Sequence, residues 1–256
     1  MWFQFKSYLN FLLNATNKHG IHSPFLYDLA TKCFNKKTTK EKIILFKQYK
    51  QQLLNNKKII KVTDFGAGSK IFKSNQREIA KITKVAGISN KKAKLLIRFI
   101  TYFKPNTILE IGTSLGLGTK ALSLGNPKAS IISLEGCLET ANIAQKKLQS
   151  LKNIHIKVGD FKKTLPIVTK NQLFDIIYFD GNHQKTPTLN YFKTCLTSIH
   201  NNSIFIFDDI HWSKEMEEAW KIIKKHPKVT VTIDIFHWGI VFFRKEQAKE
   251  HFTIKI

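Results

Sequence analysis

Two short apolar runs in the second half of the chain end in acids. Ile176-Ile177-Tyr178-Phe179-Asp180 leads into Gly181-Asn182-His183, and Ile204-Phe205-Ile206-Phe207 leads into Asp208-Asp209-Ile210-His211-Trp212. A carboxylate just beyond a buried parallel strand lies in the crevice at the carboxyl edge of the sheet, where ligands bind. Asp180, Asp208 and Asp209 would there gather three hard oxygen donors. Such a set repels itself unless a cation such as Mg²⁺, Mn²⁺ or Ca²⁺ neutralises it. His183 and His211 stand beside these acids. Imidazole titrates near neutral pH, which suits it to accept a proton from a hydroxyl that a metal has made acidic. A supporting role, as helix cap or partner to a neighbouring acid, is open for both.

A second constellation lies earlier, in Thr107 to Ser123, TILEIGTSLGLGTKALS. Ile108, Leu109 and Ile111 frame a carboxylate, Glu110. The chain then breaks at Gly112, Gly116 and Gly118 and continues with helical periodicity. Strand, tight turn and helix N-terminus is the geometry that lets backbone approach a nucleotide-like ligand. A dinucleotide site needs G-x-G-x-x-G, so that pyrophosphate sits on the helix dipole. Here the order is G-x-x-x-G-x-G, with the acid two residues before the first glycine. Glu135, followed by Gly136, ends the next strand 23 residues after Gly112, where a carboxylate can take both ribose hydroxyls. Asp160-Phe161 follows the third strand, and Gly159-Asp160 is also ordinary turn chemistry. A rival motif, Val62-Thr63-Asp64-Phe65-Gly66-Ala67-Gly68-Ser69, lacks a second acid-ended strand at the right distance. It reads as a turn near the mouth of the site.

The ordered set resembles the class I S-adenosylmethionine-dependent methyltransferases, whose ligand has no phosphates and carries a sulfonium and a free amino group. The resemblance covers roughly residues 105–245. It implies S-adenosylmethionine as cofactor, held by Glu110, Gly112, Thr113, Ser114, Gly116, Glu135, Gly136, Asp160, Phe161 and Asp180, with the Asp160 region meeting the adenine. The acids after strands four and five are similar to those of catechol-type O-methyltransferases, which hold a divalent metal with two Asp and an Asn. Asp180 and Asp208 match the two Asp, and Asp209 stands where that family has Asn. The family's general base is a Lys three residues after the first Asp; here the position is His183. The resemblance thus implies in-line methyl transfer to a metal-acidified hydroxyl of a small-molecule or glycan-type acceptor, with His183 and Asp180 catalytic.

These residues need a scaffold, and the periodicity supplies one. Residues 1–104 read as a helical extension serving as lid, acceptor-selecting or dimer surface. Its helices are expected near Trp2–Asn14, from Ser23-Pro24 onward by the proline-at-N1 rule, at Glu41–Leu54, Gln76–Val85 and Asn90–Phe103, ending before Pro105. Residues 105–256 alternate strands and helices, the signature of a doubly wound parallel sheet. Strands are expected at Thr107–Ile111, Ser130–Glu135, Ile154–Val158, Phe174–Asp180 and Ser203–Asp208. A helix capped by Ser213 follows. Val229–Ile235 and Ile240–Arg244, joined by Phe236-His237-Trp238-Gly239, form a closing antiparallel hairpin. The expected fold is α/β, a mostly parallel seven-stranded sheet.

Composition bounds the remaining classes. The chain has 256 residues, enough for one α/β domain with an extension. No apolar run reaches the ~18 residues of a membrane span. The start, MWFQFKSYLNFLL, lacks the basic leader and cleavage site of a signal peptide. Cys33, Cys137 and Cys195 are odd in number and widely spaced, as free thiols in a reducing cytoplasm would be. The net charge is +24, and residues 1–104 carry 22 Lys+Arg against 4 acids. Such a segment could grip RNA, making an RNA methyltransferase or RNA-binding protein the alternative function. Only Arg77, Arg98 and Arg244 are arginine, however, and phosphate-reading surfaces favour its bidentate fork. With abundant Asn and Ile, the lysine excess reads first as the coding bias of an A+T-rich genome. Trp2, Phe3, Phe5, Tyr8 and Leu9 could form an interfacial membrane face, although a packing helix is the plainer reading. The D/N-P-P-Y/F motif that methyltransferases of exocyclic base amines carry and the Pro-Cys of cytosine-C5 enzymes are both absent, which narrows the reaction.

Overall fold

A computed structural model describes residues 2–16, 23–63, 72 and 74–256. The rival motif's Asp64–Ser69 lies wholly outside the described residues. The chain opens with helices α1 (Trp2–Asn14), α2 (Pro24–Leu29, running on as a π turn over Ala30–Phe34) and α3 (Lys40–Leu54). A short pair, β1 (Ile59–Lys61) and β2 (Gln76–Glu78), precedes helices α4 (Ile79–Val85) and α5 (Asn90–Phe103). The alternating part comprises β3 (Thr107–Ile111), α6 (Leu117–Gly125), β4 (Ser130–Glu135), α7 (Leu138–Leu148), β5 (Ile154–Val158), α8 (Phe161–Thr169), β6 (Ile176–Phe179), α9 (Lys185–Cys195), β7 (Ile204–Asp208) and α10 (Lys214–Lys225). Strands β8 (Val231–Asp234), β9 (Trp238–Phe242) and β10 (Glu250–Thr253) close it.

The main sheet has eight strands in the order β10-β8-β9-β7-β6-β3-β4-β5. β3 runs parallel to β4, β4 to β5, and β6 to β7, whereas β9 is antiparallel to both β7 and β8. This is the doubly wound sheet with a closing hairpin that the periodicity predicts. β6 and β7 are buried at every position, as parallel strands covered on both faces must be. The eighth strand is a correction. Glu250-His251-Phe252-Thr253 is half exposed and polar, so no apolar alternation announces it, yet it pairs parallel to β8. Gln76–Glu78 is a second correction: it pairs antiparallel with Ile59–Lys61, and the helix begins only at Ile79. Three residues of strand ahead of a helix are too few for a period to register.

The chain divides into two compact units, residues 1–35 with 165–256, and residues 36–164. In the first unit, Ser23 caps α2 ahead of Pro24, and Ser213 caps α10 by accepting from Met216 N–H at 3.2 Å. Helix α10 buries Met216, Ala219, Trp220 and Ile223. The Trp220 ring lies so close to Gly239 that a Cβ there would sit 2.7 Å from it, so the helix packs its Trp220 face directly on β9. Helix α1 packs Tyr8 and Phe11 on Phe236, at ring-centroid distances of 4.8 and 5.4 Å, and leaves Trp2, Phe5, Leu9 and Leu13 exposed. In the second unit, α5 buries Leu95, Leu96, Phe99 and Ile100 and ends on Lys104 in the left-handed region, one residue before Pro105. Among the described residues, no helix is long and apolar enough to cross a membrane.

Candidate active site

In the unit formed by residues 36–164, the turn between β3 and α6 builds a cradle of backbone. Gly112, Ser114 and Gly116 take φ of 109°, 49° and 77°, so the chain doubles back twice within five residues. The Gly112 and Thr113 amides both donate to the Leu134 carbonyl, at 3.0 and 3.1 Å, which ties the turn to the end of β4. The Thr113 hydroxyl, buried, pairs with Ser133. Gly116 begins α6, and its carbonyl accepts from Lys120 N–H at 2.9 Å. From the other side, the Tyr49 hydroxyl of α3 donates to the Leu115 carbonyl at 2.8 Å.

Two carboxylates frame this cradle. Glu110 is wholly buried; its Oε2 accepts from the Thr119 and Ser133 hydroxyls, while Oε1 has no hydrogen-bond partner. Burial pushes its pKa up to about 7 against the pull of those two hydroxyls. Glu135 accepts from the Ser114 amide at 2.6 Å through Oε2 and from the Cys137 amide at 2.8 Å through Oε1. Its pKa is also raised, chiefly by burial, with the backbone donors opposing. Asp160 caps α8, its Oδ1 accepting from Lys162 N–H at 2.9 Å, and Phe161 is buried beside it. Thr119, Ser133 and Tyr49 were not singled out from the sequence. Ser133 and Thr119 carry a weak signal, as hydroxyls within otherwise apolar runs; Tyr49, more than sixty positions from the turn, carries none.

In the unit formed by residues 1–35 and 165–256, a second cluster follows β6 and β7. Asn182 takes φ 54°, which turns the chain after Asp180 so that His183 Nε2 returns to within 4.0 Å of Asp180 Oδ1. Asp208, buried at the end of β7, accepts from Trp238 Nε1 at 2.7 Å through Oδ1. One ligand atom from each of Asp180, His183 and Asp208 lies within 4.8 Å of the others, a spacing that suits a single divalent ion. The sequence expectation placed Asp209 in that set. Asp209 lies outside this trio; it takes φ 51°, its amide donates to the His237 carbonyl at 2.8 Å, and its backbone turns the chain away. Tight alternation in β7 directs Asp208 to one side, and the following residue starts a turn.

His211 serves another purpose. Its Nδ1 meets Glu217 Oε1 at 2.7 Å and its Nε2 meets Asp234 Oδ2 at 2.9 Å, so both ring nitrogens are engaged. Burial opposes protonation, but the two carboxylates outweigh it and raise the pKa. With a carboxylate oxygen against each ring nitrogen, neither nitrogen of His211 is turned toward an acceptor hydroxyl.

The comparisons with known proteins agree with this layout. Residues 109–210, from the acid-bearing strand to just past Asp208-Asp209, match the family profile described as a methyltransferase domain. The fold of the chain is similar to that of an O-methyltransferase from Bacillus cereus solved with SAH, at 20% identity and TM-score 0.54 over 62% of this chain and 83% of that one. It is similar to an SAH-bound methyltransferase from Podospora anserina, at 14% identity and TM-score 0.61 over 88% and 97%. A third likeness is an O-methyltransferase from Streptomyces achromogenes, involved in tomaymycin synthesis and solved with SAM, at 14% identity and TM-score 0.58 over 82% and 93%.

Proposed function

We propose that this protein is a methyltransferase that moves the methyl group of S-adenosylmethionine onto a hydroxyl of a small-molecule or glycan-type acceptor. The observation that carries the reading is the Asp180–His183–Asp208 cluster, a base and two acids following the ends of two buried parallel strands. The cradle supports the cofactor. Its turn offers glycine backbone without Cβ atoms, and Glu110 Oε1 is a buried acceptor lacking a donor, which a cofactor bearing an ammonium group can satisfy. Glu135 and Gly136 would meet the ribose, and Asp160 with Phe161 the adenine. Residues 1–104 would select the acceptor.

In the reaction, His183 takes the proton of the acceptor hydroxyl while Asp180 orients its ring. The oxygen attacks the methyl carbon in line, the carbon–sulfur bond breaks, and the sulfonium becomes a neutral thioether. Positioning supplies most of the acceleration, and general base catalysis adds about 10²–10⁴-fold. A second reading rests on the same trio: Asp180, His183 and Asp208 as ligands to a divalent cation. When bound there, such an ion would lower the hydroxyl pKa, and His183 would be a ligand instead of a base.

Methyl transfer from radiolabelled S-adenosylmethionine into a panel of catechols, hydroxylated aromatics and sugars tests both. Asp180→Ala and His183→Gln should each reduce turnover at least about a hundredfold. EDTA should leave turnover intact if His183 is the base, and abolish it reversibly if the trio holds a metal. Unchanged turnover in both variants would remove the site assignment.

A further inference from the structure

Tyr49 stands more than sixty residues before the cofactor turn, on helix α3, and none of the motif residues predicts it. Its side chain is buried in the unit formed by residues 36–164, and its hydroxyl donates to the Leu115 carbonyl at 2.8 Å. Leu115 lies between Ser114 and Gly116, the two left-handed residues that give the turn its shape. The same hydroxyl lies 2.8 Å from where a Cβ on Gly116 would be, so it also lies against the start of α6. A carbonyl in so tight a turn has no ladder partner of its own, and in a buried setting it needs a donor. Tyrosine provides that donor on a rigid ring fixed by packing.

We propose that Tyr49 is a positioning residue that latches the Ser114–Gly116 turn in the shape that receives the cofactor. The latch reaches the cofactor only through backbone: Tyr49 holds Leu115, Leu115 holds the φ of its neighbours, and the Ser114 amide in turn holds Glu135 Oε2 at 2.6 Å. Loss of one hydroxyl therefore loosens both the turn and the carboxylate assigned to the ribose. Burial, with the Glu110 carboxylate adding to it, raises the Tyr49 pKa, so the phenol keeps its proton and remains a donor across the working pH range.

This inference rests on the cofactor reading above, and the experiment separates the two. Tyr49→Phe removes the donor and keeps the ring. Lys50→Met is the control: it deletes the adjacent bond of α3, Lys50 Nζ to the Ile88 carbonyl at 2.8 Å, and leaves the Leu115 carbonyl its Tyr49 donor. Calorimetry with S-adenosylhomocysteine should show Kd raised about tenfold in Tyr49→Phe and unchanged in Lys50→Met. Hydrogen exchange on the ligand-free proteins should show amides 113–118 exchanging about tenfold faster in Tyr49→Phe alone, with the α5 amides unaltered. Wild-type protein that fails to bind S-adenosylhomocysteine would overturn the cofactor reading, and the exchange data would still decide the latch. A Kd within twofold of wild type, or exchange accelerated equally in α5 and the turn, would overturn the latch.

Discussion

Glu110 makes stability depend on pH in a calculable direction. Its folded pKa is raised from 4.5 to about 7, and the side chain is wholly buried. The folded state therefore binds this proton more tightly than the unfolded chain does. A group of that kind contributes its full stabilisation below the unfolded pKa and loses it as pH rises through the folded value. At about 1.4 kcal/mol for each tenfold change in proton affinity, the difference is about 3 kcal/mol. Glu110→Gln keeps an oxygen to accept from Thr119 and Ser133 but carries no titratable proton. Urea unfolding of both proteins at pH 5, 6, 7 and 8 isolates Glu110, because every other titrating group is common to both. The wild type should lose about 2.5 kcal/mol relative to the variant between pH 5 and 8, most of it between pH 5 and 7. A difference that stays constant across this range would refute the reasoning, and with it the claim that burial governs this carboxyl.

Other outcomes follow from the same geometry. Gly116→Ala should destabilise by about 2–4 kcal/mol in thermal melts, because φ is 77° and the new Cβ would lie 2.8 Å from both Tyr49 Oη and Leu148 Cδ1. His211→Gln should cost about 3 kcal/mol in urea unfolding at pH 6, since Asp234 and Glu217 lose their shared cation. Because the His211 pKa is raised, that contribution is complete below the unfolded value and fades as pH rises through the folded one; a cost equal at pH 6 and pH 9 would contradict the ion-pair account.

Much of the sheet was legible because parallel strands announce themselves. Thr107–Ile111, Ser130–Glu135 and Ile154–Val158 begin and end where the apolar runs and turn residues mark them. β10 was not legible: an edge strand with Glu250 and His251 exposed has no buried face to impose alternation. At the candidate site, Asp180, Asp208 and Glu110 were recognisable as acids flanking or within apolar strands. The exchange of Asp209 for His183 in the trio was not. It depends on φ near 50° at two non-glycine residues, Asn182 and Asp209, and such backbone choices leave no mark in residue type beyond Asn and Asp tolerating them.

The strand–turn–helix cradle, the acids that end its strands and the doubly wound class follow from local period and residue type. Which groups touch is set by the packed fold. It spent both nitrogens of His211 on Glu217 and Asp234, joined His183 to Asp180 and Asp208, and brought Tyr49 to Leu115. Those outcomes depend on contacts between positions far apart in the chain, where packing and desolvation act and sequence spacing carries no information.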